Sequence, residues 1–215
     1  MKTSFQIRRV LLALSALALW SCGGGSSSKS SSSSPPPPPP PAPTTGSVQL
    51  TNATSSTIGE VYVSPTSSPT WGPIQNGAPI APAAVWTLNG VPPDSYDGMA
   101  VVVGTVSRYY AYELNFPVTA GATYATTVYS SAFTGSLRVV NGATSSVTAL
   151  YVAAPGAPGW GGNQLSASIP LSGTFVLSDI DPGAWDVMCV HDDTTTNTAH
   201  AVAIASLSNT TVNCP

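Results

Sequence analysis

Charge is what this chain has least of: 7% of its residues are charged, with 6 Lys and Arg against 9 Asp and Glu. Lys2, Arg8 and Arg9 fall at the extreme N-terminus, which leaves Lys29, Arg108 and Arg138 for everything that follows. Without a basic patch, nucleic acid and anionic lipid surfaces are excluded as partners. Histidine is almost as scarce, with 2 residues, and cysteine is present 3 times. The spacings GxSxG, HExxH, CxxC and the P-loop are all missing, and no spacing among the many serines points to a Ser/His/Asp triad. The expectation is a protein that is not an enzyme and carries no cofactor. Helical periodicity is lacking too, since no stretch after residue 46 sustains a helical period with caps. The apolar run from Val10 to Trp20 spans about 11 residues, too short for the roughly 20 of a transmembrane helix.

What that run does fit is a secretory signal. Lys2, Arg8 and Arg9 precede it, and it ends in small polar residues at "WSCGGG". "LWSC" resembles the lipobox of bacterial lipoproteins, in which an apolar, a variable and a small residue precede Cys. The resemblance implies a signal peptide over 1–21 and lipidation of Cys22 as the first residue of the mature chain. Trp20 departs from the pattern, since a smaller residue is usual there, and ordinary cleavage without lipid is the alternative. Gly23, in place of Asp, implies the bacterial outer membrane or cell surface. Residues 22–45 read as a disordered tether: nearly all Gly and Ser over 23–34, then Pro35 to Pro41 closed by Ala42 and Pro43. At about 3.1 Å per residue in polyproline II, the proline part makes a semi-rigid rod of nearly 30 Å. A proline-rich ligand for a recognition domain is the weaker reading of the same tract.

The remainder repeats itself. "GSVQLTNATSSTIGEVYV" at 46–63 lines up with "GSLRVVNGATSSVTALYV" at 135–152, an offset of 89 residues. The same offset pairs Trp71-Gly72 with Trp160-Gly161, Leu88 with Leu177, Asp97 with Asp186 and Met99 with Met188. Carried without a gap to the chain end, it also pairs Val118 with Leu207. Two tandem domains are expected, 46–134 and 135–215. Each alternates apolar and polar residues in short β-branched and aromatic runs between Gly, Pro and Asn clusters, which gives about six or seven strands. The fold class is all-β, as two immunoglobulin-like or transthyretin-like β-sandwiches. The "RVVNGAT...ALYV" opening, the "WG" loop, the "DPGAWDV" strand entry and "VTAGATY" resemble small sandwich repeats of secreted bacterial proteins and lipoproteins of unassigned function. That resemblance implies a fold and a compartment and brings no catalytic residues.

Four features invite chemistry. With Cys22 assigned to lipid, Cys189 and Cys214 are expected to form a disulfide, since both cysteines fall in one copy and an exported chain meets oxidising conditions. Because bridged Cα atoms lie within about 7 Å, the intervening strand near 199–205 should not sit between them in one sheet. His191 and His200 flank "DDTTTNTA", so they and Asp192 and Asp193 either cluster around Zn or Cu or are polar residues of a solvated loop mouth. Trp71 and Trp160 sit in long Pro, Ser and Gly loops, where they either plug the ends of the sandwiches or stack on sugar rings as a bivalent binder. Asp97 and Asp186 belong to different domains and cannot act as an acid/base pair, so turn or strand-edge hydrogen bonding is expected of them. "NAT" at 52–54 and "NTT" at 209–211 match the glycosylation pattern at a frequency chance supplies in a Thr-rich chain. The functional expectation is a lipid-anchored envelope module, structural or adhesive. Its expected partners are the membrane, and a glycan or another envelope protein. A carbohydrate-binding role for the two tryptophans and a metal-handling role for the histidines are the alternatives.

Overall fold

The computed structural model describes residues 41–215, so the signal peptide expected over 1–21, Cys22 and most of the tether lie outside the described residues. Within them, Pro43–Pro215 form one compact unit. Its first half contains β1 (Gly46–Asn52), β2 (Glu60–Pro65), β3 (Val85–Val91), β4 (Asp94–Val103), β5 (Arg108–Val118) and β6 (Thr123–Val128). Its second contains β7 (Gly135–Asn141), β8 (Val147–Ala153), β9 (Thr174–Ile180), β10 (Gly183–His191), β11 (Thr196–Ile204) and β12 (Asn209–Cys214). Each half has two three-stranded sheets, ordered β3-β1-β6 and β2-β4-β5 in the first, β9-β7-β12 and β8-β10-β11 in the second. Pairing is antiparallel except that β6 runs parallel to β1, and β12 parallel to β7.

Both sheets of a half contribute to its main core, which makes each half a β-sandwich; in the first half Val48, Val91, Tyr96, Phe116 and Val118 form a separate cluster. Leu50 of β1, Val61 of β2, Ala100 of β4 and Ala111 of β5 form the first; Leu137 of β7, Leu150 of β8, Val187 and Cys189 of β10 and Cys214 of β12 form the second. The strict alternation of "GSVQLTN" is read out as alternating burial along β1. β4 is buried on both faces, because Met99 and Val101 on its outer side are also covered. The long loop after β2 crosses back toward that sheet and is pinned there by Asn76, whose Oδ1 accepts from the Val61 amide (2.6 Å) and whose Nδ2 donates to the Gly59 carbonyl (3.0 Å). Asn163 accepts from Leu150 N–H (2.9 Å) in the second half.

Two small devices recur. Asn52 and Asn141 end the first strand of each half, fully buried; Asn52 donates to the Ser56 and Ile80 carbonyls, and Asn141 to those of Ser145, Ile169 and Pro170. This occupies the amide of the Asn52 "NAT" pattern in the core. Gly46 and Gly135 open those strands, where a Cβ would sit 2.4 Å from the carbonyl oxygens of Thr119 and Ala205. Backbone approaches backbone at these two positions, so only glycine fits.

Strand register also corrects the gap-free alignment. Ala100 pairs with Ala111 in the first half, whereas its counterpart Cys189 pairs with Asn197, so the offset of 89 residues at β4 (189 against 100) becomes 86 at β5 (197 against 111). The β10–β11 hairpin is shorter than β4–β5 by the difference. In consequence His200 corresponds to Leu114 rather than Ala111, Val118 to Ile204 rather than Leu207, and Cys214 to Val128 rather than Ala125. A gapless comparison cannot see a deletion in a hairpin whose flanking strands are low in complexity.

The halves meet at residues 129–136. Phe133 has no exposed surface and belongs to the first core, against which Leu207 of the second half also packs. Thr134 N–H donates to Tyr110 O (2.8 Å), Thr134 O accepts from Leu207 N–H (3.1 Å), and the Ser136 and Ser107 hydroxyls are 3.0 Å apart.

Candidate functional site

The structure joins Cys189 of β10 to Cys214 of β12, with Cα atoms 6.2 Å apart. These strands lie in opposite sheets, so the bridge staples the second sandwich face to face. β11, the intervening strand, pairs with β10 on the far side and does not come between them.

His191 and His200 are not brought together. Alternating burial of Val187, Cys189 and His191 turns His191 into the core, where it is 2% exposed. Its Nε2 lies 3.3 Å from Asn197 Nδ2, and its buried Nδ1 has no partner. His200 projects to solvent on the other face and its Nδ1 lies 3.3 Å from Asp186 Oδ1. Asp186 is five residues from His191 along β10, about 16 Å at the rise of a strand. A shared ion has no place between the two imidazoles. Asp192 and Asp193 are turn residues: Asp192 Oδ2 accepts from the Ser146 amide (3.4 Å), and Asp193 Oδ1 accepts the Thr195 amide (3.0 Å) and hydroxyl (2.6 Å). Those bonds hold the Asp193 carboxyl below its ordinary value, since they favour the anion.

The burial of His191 leads to a prediction. Its counterpart in the first half is Val102, a core residue. An imidazole with a buried nitrogen lacking a partner carries a desolvation cost that valine does not. His191→Val is expected to raise stability by about 1–2 kcal/mol, read as a higher urea midpoint at pH 7. A lower midpoint would show that the ring's packing outweighs that cost.

Asp97 and Asp186 have one role in both halves. Each sits at a β-bulge in a central strand, and its Oδ1 accepts the amide of a residue in the left-handed region: Asn115 (φ 57°) at 2.9 Å, Ala201 (φ 52°) at 2.9 Å. The carboxylates hold the bulge in shape, a local hydrogen-bonding duty in the middle of the sheet rather than at its edge. The Ala201 amide, and then His200, keep the Asp186 carboxyl below its usual value.

Trp71 and Trp160 are both half-buried, neither plugged into the core nor free in solvent. Their surroundings differ. Trp71 lies with its ring centroid 5.9 Å from that of Tyr112 on β5, and Tyr112 lies 6.3 Å from Tyr110, the two phenol rings within 14° of parallel. Val61, Ala100 and Ala111 face the core, so strand alternation puts their neighbours Tyr62, Met99 and Tyr112 on the outer face of β2-β4-β5, in one cross-strand row. The hydroxyls are anchored: Tyr62 Oη donates to Glu60 Oε2 (2.6 Å), Glu60 in turn pairs with Arg108, and Tyr112 Oη donates to Asp179 Oδ2 (3.0 Å) of the second half. Burial, with Asp179 close by, raises the Tyr112 phenol far above its ordinary value. In the second half the positions of Tyr110 and Tyr112 are Thr196 and Thr198, so no tyrosine faces Trp160 from the equivalent place. Sequence reading missed this row because tyrosines at i and i+2 of a strand look like ordinary sheet residues. The signal that was there is their loss from the second copy.

The fold and site together describe a tandem β-sandwich whose halves share a scaffold and differ in surface chemistry. No protein-family model matches the chain, and no curated protein matches it. Among solved structures it is similar to GBS52, the minor pilin of Streptococcus agalactiae, at 12% identity, a TM-score of 0.32, and coverage of 79% of this chain and 94% of that one. It is also similar to the Bacillus anthracis TIE protein at 10% identity and a TM-score of 0.30, covering 79% of this chain and 34% of that one. This chain therefore spans about a third of the TIE protein's length. A candidate cell adhesion protein from Bacteroides ovatus is similar at 10% identity and a TM-score of 0.27, covering 77% of this chain and 91% of that one.

Proposed function

We propose that this protein is a bacterial envelope lipoprotein, anchored through Cys22 and holding two non-catalytic sandwiches away from the membrane on its Gly/Ser and proline tether as a structural or adhesive module. The observation that carries the reading is the Cys189–Cys214 bridge between opposite sheets. A disulfide in the core of a small domain belongs to an exported chain, which agrees with the signal-like N-terminus, and export of a chain with Cys after "LWS" suits lipidation. The side chains with chemical potential support a non-catalytic role: Asp97 and Asp186 shape bulges, Asp192 and Asp193 shape a turn, and His191 is inside.

The test is Cys22→Ser in the full-length chain, expressed in a Gram-negative host. Wild type is expected to take up labelled palmitate and to sediment with membranes, and the variant to do neither. Equal partitioning of the two would remove the anchor. A second reading, carbohydrate binding, is favoured by one observation: Trp71 continues a row of half-buried tyrosine rings.

A further inference from the structure

We propose that the outer face of the β2-β4-β5 sheet is a platform for an uncharged, hydroxyl-rich oligosaccharide. It rests on the carbohydrate-binding reading and narrows it, because the site is the tyrosine row with Trp71 in the first half alone, so the protein binds with one site rather than two.

Three features of the face select this ligand. Trp71, Tyr112 and Tyr110 follow one another at centroid spacings of 5.9 and 6.3 Å. A pyranose ring repeats along a glycan on roughly the same scale and offers an apolar C–H face to an aromatic ring. The rings are also held before any ligand arrives. Met99 and Val101, their neighbours on the same face of the central strand, are 8% and 0% exposed, and the Tyr62 and Tyr112 hydroxyls are bound to Glu60 and Asp179. Ordering that is already in place is not lost on binding.

The charge around the rings completes the selection. Arg108 pairs with Glu60, so its charge is offset, and Asp179 adds a further carboxylate at the margin of the face. Carboxylate oxygens accept hydrogen bonds from vicinal hydroxyls, whereas they repel phosphate, sulfate and uronate. A row of aromatic rings with acceptors around it is complementary to a neutral sugar chain. The second half has Thr196, Thr198 and Ala149 in place of Tyr110, Tyr112 and Glu60, and carries no such face.

Affinity electrophoresis of the full-length chain through gels containing a β-1,3-glucan, a galactomannan, a xylan or dextran sulfate tests this, with isothermal titration of chitohexaose and a decaproline peptide beside it. Retardation or heat is expected with at least one neutral glycan and with neither dextran sulfate nor the peptide. Tyr110→Ala is expected to weaken that binding at least tenfold, Tyr112→Phe to keep the stacking surface and most of the binding, and Trp160→Ala to leave it unchanged. Circular dichroism melts verify that each variant is folded. Equal losses in Trp71→Ala and Trp160→Ala with Tyr110→Ala unaffected would overturn the platform while keeping a glycan role for the loops. No binding to any neutral glycan would overturn both, and capture of the decaproline peptide alone would assign the face to a protein segment.

Discussion

Phe133→Ala is expected to cost about 3–5 kcal/mol, the largest loss of any single truncation in the junction. The ring has no exposed surface and closes the end of the first core, where Ile58, Tyr109 and Leu207 belong to the same cluster. Removing it leaves a cavity at the point where the two halves are joined, and the backbone bonds of Thr134 to Tyr110 and Leu207 run through the next residue. The consequence is twofold: the first half should unfold at lower urea, and the second should lose the support of that neighbour. Hydrogen exchange read by mass spectrometry separates the two, with β5 and β6 expected to lose protection most and β7 and the residues around Leu207 to follow. A variant whose stability falls by less than about 1 kcal/mol would show that the site collapses to fill the gap.

Replacing the bridged pair with the residues at the same places in the first half, Cys189→Ala with Cys214→Val, is expected to cost about 3 kcal/mol, the loop-closure entropy for a loop of about 25 residues. The same loss should follow from reducing the wild type. Both cysteines are buried in the second core, at 1% and 0% exposure, so the substitution trades a covalent staple for apolar contacts without leaving a polar group unpaired. The first half is built on the same plan with Ala100 and Val128 and holds by packing alone, so the variant should still fold and its loss should be confined to β7–β12. An unchanged urea midpoint in the double variant, with and without reductant, would mean that the unfolded chain gains little freedom from losing the link.

Much of this was legible before any coordinates. Period-two alternation in "SVQLT" and "SLRVV" reports a strand with one buried face wherever it occurs, because side chains on a strand can only alternate. Matching "NATSST" and "NGATSS" reports a repeated turn, and the structure shows why both begin with Asn: each amide satisfies carbonyls that the turn leaves inside. The pairing of Cys189 with Cys214 followed from composition and compartment. The gapless offset failed because hairpin length is decided by a few turn residues, and "DDTTTN" does not resemble "GTVSRY".

What the sequence determined by itself is what depends on near neighbours along the chain: strands, turns and the repeat. What only the tertiary structure decided is which residues share a face and which share an interior. His191 and His200 look alike in a string of letters, yet one faces the core and the other solvent on opposite sides of one sheet. Trp71 and Trp160 occupy matched places, yet only Trp71 meets a tyrosine row, because that row comes from a strand about forty residues away in the chain. Proximity between distant strands is fixed by sheet order and register, and those are settled by the packing of the whole core.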